Sequence, residues 1–82
     1  MIKCIIIDDE KQARESLALI ITRNLSKKLE VLGKADSIDE GIALILKFEP
    51  EIVFLDIELE DENGFSLFDK FKNPNFSVVF VT

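Results

Sequence analysis

Residues 52–59 read Ile52-Val53-Phe54-Leu55-Asp56-Ile57-Glu58-Leu59, and the reading of this stretch decides the fold. The apolar run 52–55 does not alternate with polar residues, so it suits a strand buried on both faces. Its first polar side chain, Asp56, then stands at the carboxyl end of that strand. Open α/β sheets place ligands and chemistry at that edge. An acidic loop with Glu58, Glu60, Asp61 and Glu62 leads on to Asn63-Gly64. Working outward, residues 3–7 form a second apolar strand, which ends in Asp8-Asp9-Glu10. If the two strands are parallel neighbours, Asp8, Asp9 and Asp56 converge on one crevice.

The remaining segments supply the crossovers. Asp9 sits where a helix N-cap belongs. Ala13, Leu17, Ile20, Ile21 and Leu25 follow at helical spacing, with Lys11, Arg14, Glu15 and Arg23 on the wet face. Residues 29–35 alternate, with Leu29, Val31, Gly33 and Ala35 on one face, as expected of a half-exposed edge strand. Ser37 and Glu40 form a capping-box pattern. The helix they open carries Ile42, Ala43, Ile45, Leu46 and Phe48 and stops before Pro50. Beyond the acidic loop, Phe65, Leu67, Phe68 and Phe71 mark a third helix. Asn73-Pro74-Asn75 is turn chemistry, and residues 76–81 form a last apolar strand ending at Thr82. Alternating strands and helices imply an α/β fold: a doubly wound parallel sheet with helices on both faces.

Composition narrows the function. At 82 residues the chain is one small domain, 1–82, and 48% hydrophobic residues suffice for a packed core. A net charge of -6 without a basic cluster argues against direct nucleic-acid binding by this segment. The apolar runs are too short to span a bilayer, and the first residues lack the pattern of a signal peptide. The lone Cys4 lies inside the first strand and reads as a small hydrophobe in a reducing cytoplasm. With no histidine, imidazole-based catalysis and imidazole zinc ligation are excluded within this chain.

Taken singly, the acidic residues have plain explanations: helix-dipole partners at Asp8-Asp9-Glu10, a polar strand end at Asp56, a solvated loop after it. Together they are costly. Unit charges about 4 Å apart repel by roughly 1–4 kcal/mol at effective dielectrics from water to protein surface. A cation among them removes that cost, and oxygen ligands without thiolate or imidazole select Mg²⁺ or a similar hard ion.

Three blocks then carry a family resemblance. Ile5-Ile6-Ile7-Asp8-Asp9-Glu10, Val53-Phe54-Leu55-Asp56 and Val78-Val79-Phe80-Val81-Thr82 resemble the signature blocks of the receiver domain of two-component response regulators. Asp8-Asp9-Glu10-Lys11-Gln12-Ala13-Arg14 is most similar to receivers of LytTR-type transcription regulators. The resemblance covers the whole chain and implies a flavodoxin-like (CheY-like) sheet of strand order 2-1-3-4, without the family's fifth strand and last helices. It implies that Asp56 accepts a phosphoryl group from a sensor histidine kinase. It implies Mg²⁺ held by Asp9, Asp56 and the backbone carbonyl of Glu58, with Asp8 acting through water. Thr82 would be the switch hydroxyl. The domain would then be a switch rather than a turnover enzyme, acting on a DNA-binding output domain outside this chain.

Two positions depart from the family pattern. Glu60 stands where a proline is frequent, and the family lysine at the end of a fifth strand has no counterpart within residues 1–82. Lys70 and Lys72 belong to the third helix region and are no substitutes. A pseudo-receiver, a protein-interaction module without phosphorylation, is the alternative reading. A haloacid dehalogenase-type phosphohydrolase fits less well, because Glu58 stands where that family has a second Asp. A flavodoxin-like nucleotide binder fits least, since Asp8-Asp9-Glu10 would repel phosphate. Without a fifth strand, Phe76, Val78, Val79, Phe80 and Val81 lie on an unprotected edge. An isolated 1–82 chain is therefore expected to associate through that edge, exchange elements between copies, or be held by further sequence.

Overall fold

The structure, a computed structural model, describes residues 1–60 and 67–81. Along the chain lie β1 (Ile2–Ile7), α1 (Lys11–Asn24), β2 (Leu29–Ala35), α2 (Ile38–Phe48), β3 (Ile52–Asp56), α3 (Ile57–Glu60), α4 (Leu67–Lys70) and β4 (Ser77–Val81). The strands form one parallel sheet in the order β2-β1-β3-β4. This is the expected topology, and it follows from the patterns. The non-alternating strands β1 and β3 take the centre, where Ile5, Ile7, Val53 and Leu55 are wholly buried. The alternating β2 takes an edge.

Two hydrophobic layers cover the sheet. On one face Ile5, Ile7, Val53 and Leu55 pack with Ile38 and Ile45 of α2, and with Leu59 and Leu67. On the other face Cys4 and Ile6 pack with Ile21 of α1, and Leu17, Ala18 and Phe54 lie against them. Burial pushes the Cys4 thiol above its ordinary pKa, consistent with an apolar role.

The helices sit differently on the sheet than their spacing suggests. In α1 the buried side is Leu17, Ala18 and Ile21, while Ile20 and Leu25 are exposed. In α2, Ile38, Gly41 and Ile45 face the sheet, whereas Leu46 is exposed and Ala43 lies on the solvent side. Gly41 matters because a Cβ there would lie 2.9 Å from Cγ1 of Ile7. The helix backbone thus rests directly on β1.

The expected single face of β2 is also corrected. Cys4 pairs with Val31 but Ile5 pairs with Gly33, so Leu32 is an extra residue in the ladder. Leu29 and Val31 therefore face α1, while Leu32 and Ala35 join the α2 side. Simple alternation cannot show such a bulge, because the inserted residue is itself apolar.

The ends of α2 follow the sequence. Ser37 Oγ accepts the Glu40 N–H at 3.1 Å. The helix stops at Glu49, which has φ 48° and ψ 58° just before Pro50. The acidic loop begins as a helical turn, α3, because Leu59 docks into the larger layer with only 2% of its surface exposed. The expected third helix appears as α4, with Leu67 buried; Phe65, Asn63 and Gly64 lie outside the described residues. Phe76 precedes β4 rather than opening it, and its ring meets Phe71 edge-on at 5.4 Å.

Candidate functional site

Hydrogen bonding fixes both strand ends. β1 delivers Asp8 and Asp9, and β3 delivers Asp56. The Asp8 N–H donates to the Ala35 carbonyl at 3.0 Å, which ties the end of β1 to the end of β2. Asp8 Oδ1 accepts the Glu10 N–H at 2.9 Å, and Asp56 Oδ1 accepts the Glu58 N–H at 2.9 Å. Each is an aspartate turning the chain through the N–H two residues on. The same local device thus ends two neighbouring strands and aims both carboxylates at the sheet edge.

The expected cap is corrected here. Glu10, not Asp9, occupies the N-cap of α1, and its side chain makes no capping bond. The carboxylate that takes the Glu10 N–H belongs to Asp8. Asp9 is left exposed at the rim.

Carboxylate oxygens of Asp8, Asp9 and Asp56 all lie within 4.8 Å of one another. Asp8 and Asp56 are nearly buried, at 8% and 9% exposure. Charges this close repel one another, and a cation among them would remove that cost. The donor set is hard oxygen throughout, clustered at the size of a single ion, so it fits Mg²⁺ or a similar dication. Glu58 joins the site through its N–H. Thr82 lies outside the described residues. A groove of about 440 Å³ lined by Ile45, Pro50, Phe71 and Phe76 lies at the opposite end of the sheet and has no part in this chemistry.

The response regulator receiver domain model matches residues 4–82. The chain belongs to the response regulator receiver family. Among curated proteins, the sensory transduction protein LytT of Bacillus anthracis is 40% identical over 85 residues, covering all of this chain and 33% of that protein. An uncharacterized response regulatory protein of Vibrio cholerae is 37% identical, again over the whole chain and 34% of its own length. The chain thus spans about a third of the length of these relatives. The N-terminal domain of an uncharacterized protein from Wolinella succinogenes has a TM-score of 0.79 and 26% identity, over 99% of this chain and 64% of that one. The signal receiver domain of a modulated diguanylate cyclase from Desulfovibrio desulfuricans, at TM-score 0.80 and 21% identity, covers all of this chain and 65% of its own. That last likeness concerns the fold alone. The receiver is similar to LytT-type response regulators, and no helix among its described residues is long and apolar enough to cross a membrane.

One residue of this region escaped the sequence reading. Arg14, assigned above to the wet face, donates from Nη1 to the Asp8 carbonyl at 2.9 Å. A signal was present: a cation in the first turn of a helix opposes the helix dipole and needs some other partner.

Proposed function

We propose that this receiver takes a phosphoryl group on Asp56 from the phosphohistidine of a sensor kinase and switches a downstream output, in a Mg²⁺-dependent reaction. The observation that carries the reading is the convergence of Asp8, Asp9 and Asp56 within 4.8 Å at the carboxyl edge of the sheet. Asp56 is the nucleophile. The Glu58 N–H holds Oδ1, and the other oxygen is left for attack on phosphorus. The new O–P bond replaces the N–P bond of the donor, whose imidazole departs with the electron pair of that bond. Asp9, Asp56 and the Glu58 carbonyl would hold the ion, with Asp8 acting through water. When bound, Mg²⁺ neutralises charge on the transferring group. Thr82 would donate its hydroxyl to a phosphoryl oxygen. The near-burial of Asp56 limits water around the acyl phosphate, which favours a switch with a lifetime over a turnover enzyme.

The length of the LytT relatives leaves room for an output domain, and DNA binding is the proposed output. The test uses the intact protein with acetyl phosphate and Mg²⁺. Intact-mass measurement is expected to show one added phosphoryl group, absent in Asp56→Asn and reduced in Asp9→Ala. A protein that gains no Asp56-dependent adduct with Mg²⁺ present would instead be a pseudo-receiver that acts by protein contact alone.

A further inference from the structure

The three carboxylates of the cation site are not anchored alike. Asp8 and Asp56 each accept a backbone N–H at 2.9 Å. Asp9 is exposed, and no hydrogen bond among the described residues fixes its carboxylate. The direction of Asp9 is therefore set by its backbone, which begins with the peptide joining Asp8 to Asp9. The carbonyl of that peptide accepts the Arg14 guanidinium at 2.9 Å. Arg14 is itself set by α1, where its N–H donates to the Glu10 carbonyl at 3.0 Å.

Arg14 also feels the charge of an acidic pair at the start of α2. Asp36 follows directly on Ala35, whose carbonyl accepts the Asp8 N–H. Glu40 lies on the first turn of α2. The Glu40 carboxyl is pushed above its usual range, first by its hydrogen bond with Asp36 and then by the charge of that neighbour. Arg14 acts on it in the opposite direction. The guanidinium is thus bonded to the strand end and feels the charge of the next crossover. A planar, always-charged group with several donors suits that position better than a flexible ammonium.

We propose that Arg14 is a positioning residue for the cation site: it fixes the Asp8–Asp9 peptide so that Asp9 faces Asp56. This rests on the Mg²⁺ reading given above. As a bystander charge, Arg14 would repel a dication, and its removal would tighten binding. As a positioning residue, it holds a ligand in place, and its removal weakens binding. Outer partners that orient ligand residues are worth about 10–100-fold in metal affinity.

The experiment measures Mn²⁺ binding to the intact protein from the paramagnetic resonance signal of free Mn²⁺, for wild type, Arg14→Lys, Arg14→Met and Asp9→Ala. Thermal unfolding without metal checks that each variant is folded. Arg14→Met keeps the apolar stem without the charge, and Arg14→Lys keeps the charge without the planar fork. Both are expected to bind about 10-fold more weakly than wild type. Arg14→Met binding as tightly as wild type, or tighter, overturns the proposal. So does a loss in Arg14→Met that Arg14→Lys fully restores, because charge alone would then suffice. If wild type binds no Mn²⁺, and Asp9→Ala matches it, the cation-site reading falls and this inference with it. If wild type binds and only the Arg14 variants are unchanged, the cation site stands and the role of Arg14 alone is lost.

Discussion

The face of the sheet beneath α2 is closed, whereas the face beneath α1 is thin. Under α2, Ile5, Ile7, Val53 and Leu55 meet Ile38 and Ile45, and Leu59 and Leu67 seal the layer from the short helices. Under α1, Ile21 is the helix's buried residue, and Leu19 and Ile20 turn outward at 48% and 54% exposure. The two helices are thus attached by different physics. α2 is held by burial along its length. α1 buries Ile21 and is tied at its start by hydrogen bonds, where Glu10 and Arg14 bond to Asp8. The hydrogen-bonded end of α1 is the end that carries the acidic site, so that edge gains its order from polar contacts rather than from a deep core.

The largest expected effect tests this difference directly. Leu55 and Ile6 are both almost wholly buried, but on opposite faces. Truncating a buried Leu or Ile to Ala costs about 2–5 kcal/mol, and the cost grows with the cavity that cannot collapse. Leu55→Ala should lie near the top of that range, because its layer is covered by α2 and by Leu59 and Leu67 together. Ile6→Ala should lie near the bottom, because a single helix can settle onto the gap. Denaturant titration of both variants, with unchanged slopes, gives the two values. Equal costs would mean that the α1 layer is as rigid as the α2 layer.

Gly41→Ala probes the close approach on the α2 face. The new methyl would sit 2.9 Å from Cγ1 of Ile7, a wholly buried residue. Overpacking costs about 1–3 kcal/mol. Alanine returns up to about 1 kcal/mol through helix propensity. The net expectation is a loss of about 1 kcal/mol, read as a lower thermal midpoint. A gain in stability would show that α2 can lift off β1 at no cost.

Most of this architecture was legible because the strands carry it. The unbroken apolar runs of β1 and β3 could only be central, and the turn and cap residues Ser37, Pro50 and Asn73-Pro74 separated the elements. The acidic site was legible for the same reason, since a polar residue that ends an apolar run must stand at the sheet edge. What was not legible depends on an angle or on one extra residue. The rotation of each helix decides whether Ile20 or Ala18 meets the sheet, and both fit a helical period. The Leu32 bulge inserts an apolar residue into an apolar pattern, so it changes the face without changing the text. Arg14 read as a solvated cation because its partner is a backbone carbonyl, which no side-chain pattern reveals.

The smallest expected effect concerns Ile20, which spacing assigned to the core and the structure places on the surface. At 54% exposure it has little apolar area left to lose. Substitutions at such positions usually shift stability by no more than about 0.5 kcal/mol. Ile20→Lys should therefore leave the unfolding free energy within that margin. A loss above about 1 kcal/mol would match burial of a large aliphatic side chain and would restore the stripe read from spacing.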